Sequence, residues 1–321
     1  MEEDLSLKTI ISLCKANVFD ILEAGAIGHS GGSLSILETL IALYYKIAKI
    51  DAKNPKWEDR DRIILSKAHA CEAMYAVLGE KGFFPKEKFK EFLHFNSILQ
   101  GHAEICTPGV EYSGGSLGQG ISFACGLAYS ARLKKKDYKV FCILGDGECH
   151  EGEVWEAAMF ASHYKLDNLY VIVDYNHYCT LGDVDEIMNL KPLEDKWKSF
   201  GWETIFEKDG NNIKNMISNI ASKDILIRSV TLTSCTHAAR SLNLELNYCI
   251  LDVNMIETEY ETYKRIYDYV KNSLKEEDGL EISKKDFTPF INMSDSDFQK
   301  IIDSKFLEPN LINHILKQRS L

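Results

Sequence analysis

Apolar side chains recur at helical spacing along two N-terminal stretches, roughly 3–24 and 33–48. This spacing predicts two helices with one apolar face each. We predict Ser33 as the N-cap of the second helix, because a serine hydroxyl can accept a hydrogen bond from an unpaired backbone N–H. The glycine-rich segment between them, 28–32, is predicted to be a loop.

Short apolar runs follow, and they indicate strands. RIILS (62–66) is too short for a helix and rich in β-branched residues, and a helix is predicted after it at about 70–80. From residue 139 the chain alternates strand and helix: KVFCILGDG, helix 153–164, NLYVIVDYN, helix 191–200, GWETIFEKDG, helix 211–222 and DILIRSVTL. Helical crossovers join parallel strands, and strands apolar on both faces are covered on both sides. The predicted fold is therefore α/β, a doubly wound, mainly parallel sheet flanked by helices.

The rhythm changes near residue 255. Polar helical patterns replace the alternation, KEEDG (275–279) is a predicted break, and a last helix pair is expected near 295–304 and 308–318. We therefore predict one domain over 1–254 and an appended C-terminal helical segment over 255–321.

Charge and composition narrow the functional class. The formal net charge of -11 argues against a nucleic-acid or anionic membrane partner. No basic leader or long apolar run indicates a signal peptide or a membrane span. The nine cysteines are scattered without metal-type spacing, which favours a reducing cytoplasm.

An acidic turn carries the first chemical signal. Asp146 ends the strand VFCIL between Gly145 and Gly147, and Asn176 ends the next strand. The helix and two connections between them fit a right-handed crossover, which places Asp146 and Asn176 side by side at the carboxyl edge. Carboxylate and amide oxygens suit Mg²⁺ or Ca²⁺. A lone Asp-Gly is more often a plain turn, and the spacing to Asn176 favours the metal site.

The segment GDGECHEGEVWEAAMFASHYKLDNLYVIVDYN (145–176) resembles the cofactor motif of thiamine-diphosphate enzymes, G-D-G with a downstream Asn. Its E-G-x-x-W-E-A continuation is similar to that of transketolases, especially the two-subunit bacterial type. The α subunits of 2-oxoacid dehydrogenases and the deoxyxylulose-phosphate synthases usually lack it. The resemblance covers roughly 1–230 and implies a thiamine diphosphate-binding domain of the diphosphate-binding (PP) type.

The resemblance implies specific roles around the acidic turn. Asp146, Asn176 and the backbone carbonyl of Tyr178 would bind Mg²⁺, for which Ca²⁺ or Mn²⁺ could substitute. Gly145 and Gly147 would lie against the diphosphate, with the N–H of Gly147 as a donor.

Among the other acids, Glu151 matches a glutamate at the subunit interface, linked to the carboxylate that activates the cofactor. Two acids that share a site shift each other's pKa. Glu148, Glu153 and Glu156 are predicted to be helix-start residues that complement the helix dipole.

Three histidines match family motifs. GHSGGSLS places His29 facing substrate, LSKAHA places His69 near the thiazolium and diphosphate, and GHAE places His102 near a substrate hydroxyl. Ala68 replaces the usual glycine before His69. Together such histidines can donate hydrogen bonds and move protons near neutral pH.

The glycine-rich segment YSGGSLGQGIS (112–122) resembles the family's T-G-P-L-G-Q-G loop. In the family, backbone groups at the positions of Gly115 and Leu117 hold the aminopyrimidine of the cofactor.

The resemblance also implies a missing half. The family's activating glutamate lies in a pyrimidine-binding domain, for which this chain is too short. We expect the chain to be the diphosphate-binding subunit of a split transketolase, paired with a pyrimidine-binding subunit in an α2β2 assembly. It would move a two-carbon ketol unit from a ketose donor to an aldehyde or keto-sugar acceptor.

Several positions depart from the family pattern. SVTLTSCTHAARSLNLELNYCI (229–250) lacks the T-x-K-G-x-G and W-H-G segments, and His237 or Tyr248 could stand in for the absent histidine. D-G-H-D is altered at 209–212, and N-G becomes Asn176-His177. These changes suggest an unusual sugar acceptor, such as one of surface-polysaccharide biosynthesis. The alternatives are a non-catalytic or regulatory homologue, or a subunit of another thiamine-diphosphate enzyme.

Overall fold

A parallel sheet of five strands forms the centre of the computed structural model, which describes residues 2–221 and 227–230. The strands are β1 (Arg62–Leu65), β2 (Val140–Gly145), β3 (Leu169–Asp174), β6 (Thr204–Glu207) and β7 (Ile227–Val230), in the spatial order β1-β2-β3-β7-β6. Strands β4 (Tyr178–Cys179) and β5 (Gly182–Asp183) form a small antiparallel hairpin.

Helices cover both faces of this sheet. They are α1 (Glu2–Gly25), α2 (Ser30–Leu34), α3 (Leu37–Ala42), α4 (Cys71–Lys81), α5 (Gln119–Leu133), α6 (Gly152–His163), α7 (Val184–Met188), α8 (Leu193–Ser199) and α9 (Ile213–Ala221). Side chains of α1, α3, α4 and α9 pack with Phe141 and Ile143 of β2 on one face. Those of α5, α6 and α8 pack with Cys142 and Leu144 on the other. The prediction of a doubly wound parallel sheet is confirmed.

The predicted helix 33–48 differs from the structure. Helix α2 already begins at Ser30, the chain breaks before α3, and residues Leu43–Ile47 continue α3 as a π-helical turn. The prediction of Ser33 as an N-cap is wrong. Ser33 lies inside α2, fully buried, and its hydroxyl donates to Oε2 of Glu72 at 2.6 Å.

The helices predicted beyond residue 255, and the proposed boundary at 254, lie outside the described residues. Within the described ranges, no helix is both long and apolar enough to cross a bilayer.

Candidate active site

Three neighbouring strands end at the same edge of the sheet. Leu65 of β1 pairs with Ile143 of β2, and Gly145 of β2 pairs with Asp174 of β3, all in parallel register. Each strand therefore delivers its following segment to one place, which is where ligands bind in open α/β sheets. The segments are 66–70, 146–151 and 175–178.

Asp146 and Asn176 meet at this edge. The Asp146 carboxylate is buried and accepts hydrogen bonds from the N–H of Gly147 at 2.7 Å and the N–H of His177 at 2.6 Å. The amide oxygen of Asn176 accepts from the N–H of Tyr178 at 2.9 Å. Burial, with the Asp174 carboxylate nearby, raises the pKa of Asp146 to about 8. The crossover geometry thus brings together the two side chains predicted from the sequence.

His177 has an unusual backbone conformation. Its φ is 65°, in the left-handed region that favours glycine. This explains why the resembling motif has N-G at this point. The histidine is accommodated with its ring 4.2 Å from the ring of Tyr175, measured between centroids.

A buried ion pair lies beneath the turn. The ammonium of Lys67 is 2.5 Å from Oδ2 of Asp174, and both side chains are almost completely buried. The same carboxylate oxygen accepts from the Ser35 hydroxyl at 2.6 Å and from the Asn176 amide at 3.1 Å. Lys67 also donates to the carbonyl of Gly32 at 3.1 Å. The network joins the ends of β1 and β3 to the segment that carries His29.

The prediction that Glu148 is a helix-start residue is wrong. Glu148 lies in a 3-10 turn, Gly147–His150, and only 2% of it is exposed. Its carboxylate accepts from the Ser66 hydroxyl and from the N–H groups of Gly118 at 2.8 Å and Gly145 at 3.0 Å. Burial raises the pKa of Glu148, and these bonds oppose the increase.

The remaining acids of this stretch lie nearer the surface. Glu151 is exposed and is the residue before α6, while Glu153 lies in the first turn of that helix, as predicted. Glu156 is exposed one turn later.

Two of the three predicted histidines are in direct proximity. The rings of His29 and His69 have centroids 5.2 Å apart. Burial lowers the pKa of both, His69 well below its usual value, and His102 is close enough to depress both further. His29 is held by its backbone N–H, which donates to Oε1 of Glu72 at 2.9 Å. The edge therefore carries a group of histidines that stay neutral near pH 7.

The glycine-rich loop adjoins the acidic turn. Gly115 is exposed with open space around it, and Leu117 is half-buried. Gly118, at φ 83°, is the residue before α5. A Cβ on Gly118 would lie 2.9 Å from the Cβ of Glu151, so the two segments are in van der Waals contact.

The donor set at the edge fits a hard divalent cation bound with a diphosphate. In the described part of the chain, no cluster of three or more His, Cys, Asp or Glu side chains could hold a metal ion. One carboxylate, one amide oxygen and one carbonyl is instead the type of partial set that Mg²⁺ completes with water and phosphate oxygens. Asp146, Glu148 and Asp174 are all buried beside a single buried lysine, and Oδ1 of Asp174 has no hydrogen-bond partner. An added cation would offset this excess negative charge.

Sequence reasoning missed Lys67, Asp174, Glu148 and Glu72. Two signals were available, because Asp174 ends an otherwise apolar strand and Lys67 closely follows another. Neither signal reveals that the two side chains pair. Glu72, inside the predicted helix 70–80, has a helical-face position but no sequence sign of its polar partners.

Known proteins resemble this chain over most of its length. Residues 6–238 match the family model described as "Transketolase, thiamine diphosphate binding domain". One of the two subunits of the apulose-4-phosphate transketolase from Phocaeicola vulgatus is 40% identical over 210 residues, covering 65% of this chain and 74% of that protein. The 6-deoxy-6-sulfo-D-fructose transketolase subunit SqwG of Clostridium sp. is also 40% identical over 220 residues, covering 68% and 80%.

A solved transketolase from Leishmania mexicana superposes with a TM-score of 0.66 at 28% identity, over 71% of this chain and 36% of that one. The chain thus spans only about a third of that longer enzyme. The recognition of a diphosphate-binding subunit of the two-subunit type is confirmed by the family match and the curated relatives. The chain belongs to the transketolase family, of which it carries the thiamine diphosphate-binding domain.

Proposed function

We propose that this chain supplies the metal- and diphosphate-binding half of an active site that transfers a two-carbon ketol unit from a ketose to an aldehyde or keto-sugar. The observation that carries the proposal is the meeting of Asp146 and Asn176 at one sheet edge, where the His177 N–H donates to Asp146. The buried charges around them give this edge its affinity for a cation.

In the proposed arrangement Asp146, Asn176 and the carbonyl of Tyr178 hold Mg²⁺. The N–H of Gly147 donates to the diphosphate, while Gly145 allows its close approach. Backbone groups of Gly115 and Leu117 hold the aminopyrimidine.

Bound thiamine diphosphate supplies a carbanion and an electron sink for cleavage of the bond beside the ketose carbonyl. His69, two residues after the buried Lys67, would face the cofactor. His29 and His102 would bind substrate oxygens. As neutral imidazoles, they can both donate hydrogen bonds and accept protons, which is required to hold a hydroxyl and take its proton during cleavage.

A second chain completes the site in this proposal. Glu151 is exposed at the start of α6, next to the glycine-rich loop, where a partner's side chain can reach it. The curated relatives are named as transketolase subunits, which supports pairing with a separate pyrimidine-binding subunit that supplies the activating glutamate. An α2β2 assembly would place this interface in two copies.

The substrate is proposed to be a specialised sugar. The relatives are named for apulose-4-phosphate and 6-deoxy-6-sulfo-D-fructose, which are not ordinary pentose phosphates. One altered position has a structural role instead, because the amide of Asn211 donates to the buried Glu38 at 2.9 Å. The other departures, at 231–250, lie outside the described residues.

The test reconstitutes this chain with the pyrimidine-binding subunit encoded beside it and offers a panel of donors and acceptors with thiamine diphosphate and Mg²⁺. Mass spectrometry should detect an acceptor lengthened by two carbons, and a modified sugar should be preferred. Interconversion of xylulose and ribose phosphates at ordinary transketolase efficiency would refute the substrate part. Absence of any ketol transfer across the panel would count against the activity.

A further inference from the structure

The side chain of Glu148 contacts all three segments of the proposed cofactor site. It follows the acidic turn, and only 2% of it is exposed. Oε1 accepts from the Ser66 hydroxyl after β1 and from the N–H of Gly118 in the glycine-rich loop. Oε2 accepts from the N–H of Gly145 at the end of β2. One buried carboxylate therefore bridges the ends of two strands and the loop before α5.

Each partner of Glu148 is close in sequence to a residue proposed to touch the cofactor. Gly118 directly follows Leu117, and Gly145 directly precedes Asp146. Ser66 begins the turn that leads to His69. A displacement at any of these three partners would therefore move a cofactor-contacting group relative to the other two.

Glu148 also fixes the start of α6. Its own backbone carbonyl accepts from the N–H of Glu151 at 3.0 Å. Glu151 packs beside Gly118, where an added Cβ would lie 2.9 Å away. The side chain and main chain of Glu148 thus hold the glycine-rich loop and Glu151 against each other.

A carboxylate suits this position better than an amide does. An ionised carboxylate is acceptor-only, with two oxygens that can each accept more than one bond. A glutamine would turn an NH₂ group toward one of the backbone N–H donors, which would then be buried without an acceptor.

We infer that Glu148 is a positioning residue that sets the spacing of the diphosphate turn, the aminopyrimidine loop and the thiazolium histidine. This inference rests on the proposed function. Glu148 itself does not touch cofactor or substrate in this scheme, and it acts through Gly118, Gly145 and Ser66.

The experiment compares Glu148→Gln with Glu156→Gln in the reconstituted two-chain enzyme. Glu156 is exposed on the same stretch, so it is a matched control. Glu148→Gln should raise the apparent KM for thiamine diphosphate about tenfold or more and leave the KM for the ketose donor within about twofold, because a buried charged hydrogen bond is lost only on the cofactor side. Excess cofactor should restore most of kcat. Glu156→Gln should match the wild type.

Hydrogen exchange gives a readout independent of activity. In the unliganded chain, peptides that contain Gly118 and Gly145 should exchange faster in Glu148→Gln, whereas a peptide from α4 should be unchanged. Equal cofactor KM values, or slower turnover with both KM values raised alike, would overturn the positioning role.

A milder variant covers the case in which Glu148→Gln does not fold. Ser66→Ala removes one of the three bonds and should raise the cofactor KM by about two- to fivefold. No change in Ser66→Ala would then contradict the inference. Failure of the wild-type pair to bind thiamine diphosphate would instead point to the proposed function, so the two failures are distinguishable.

Discussion

Gly114 packs so tightly against Ala68 that a Cβ at position 114 would lie 2.4 Å from the Ala68 methyl carbon. Both positions depart from the motifs that the chain resembles. Ala68 stands at a usual glycine, and Gly114 stands at the threonine of T-G-P-L-G-Q-G. The methyl group has moved from one side of the contact to the other, so the two departures compensate.

This contact predicts a strong coupling. Gly114→Thr alone should destabilise the chain by about 1–3 kcal/mol through overpacking. The double variant with Ala68→Gly should recover most of that loss, because the space is made available again. Urea unfolding of the two single variants and the double variant measures the coupling, and additive effects would show that the contact is not limiting.

The metal-binding proposal predicts a separation of binding from turnover. Asp146→Ala should weaken thiamine diphosphate binding in the presence of Mg²⁺ by at least about 100-fold, since even outer-shell partners of a metal are worth about 10–100-fold. His102→Ala should bind normally and turn over slowly. Calorimetry on the two-chain enzyme distinguishes these effects, with exposed Asp167→Ala as the control.

If His102→Ala also lost the cofactor, the histidine would belong to the binding site and its substrate role would be wrong. If Asp146→Ala retained the cofactor, the assignment of the acidic turn would be wrong.

The buried Lys67–Asp174 pair predicts a large asymmetry in stability. Lys67→Met leaves an unpaired buried carboxylate and should cost about 3–5 kcal/mol of unfolding free energy. Lys67→Met combined with Asp174→Asn should cost clearly less, because neither charge is then buried alone. The exposed pair Lys88–Glu91 provides the reference, where Lys88→Met should change stability by less than about 1 kcal/mol. Equal losses in the buried and exposed variants would contradict the ion-pair interpretation.

The histidine environment predicts an unusual titration. His69 is buried and faces Lys67, His29 and His102, all of which disfavour its protonated form. Its imidazole should therefore remain neutral as the pH falls through 6.5, where an ordinary histidine is half protonated. Nitrogen chemical shifts of selectively labelled histidine measure this directly. A protonated His69 at pH 6.5 would mean that water reaches the ring.

Different parts of the site were predictable to different degrees. Asp146 and Asn176 could be placed together from the sequence because parallel crossovers bring consecutive strand ends to one edge. Glu148 could not, because its position shortly before α6 resembles that of an ordinary helix-start acid. Its side chain turns inward because a 3-10 turn precedes the helix and offers it buried donors. Lys67 was missed for a related reason, since lysine is almost never fully buried unless it is paired.

The helical start at Ser30 shows the same limit. Apolar spacing located the helix but not its first residue, which depends on the buried Glu72 carboxylate that binds the His29 N–H and the Ser33 hydroxyl. That carboxylate comes from a distant helix, so no local pattern in the sequence contains it.

The central claim is that the chemistry requires a second chain, and one measurement tests it most directly. The purified chain is assayed for two-carbon transfer with thiamine diphosphate, Mg²⁺ and a ketose donor, alone and with the pyrimidine-binding subunit. We predict no transfer by this chain alone and transfer that saturates as the partner is added. Turnover by the single chain at a rate comparable to that of the pair would contradict the claim.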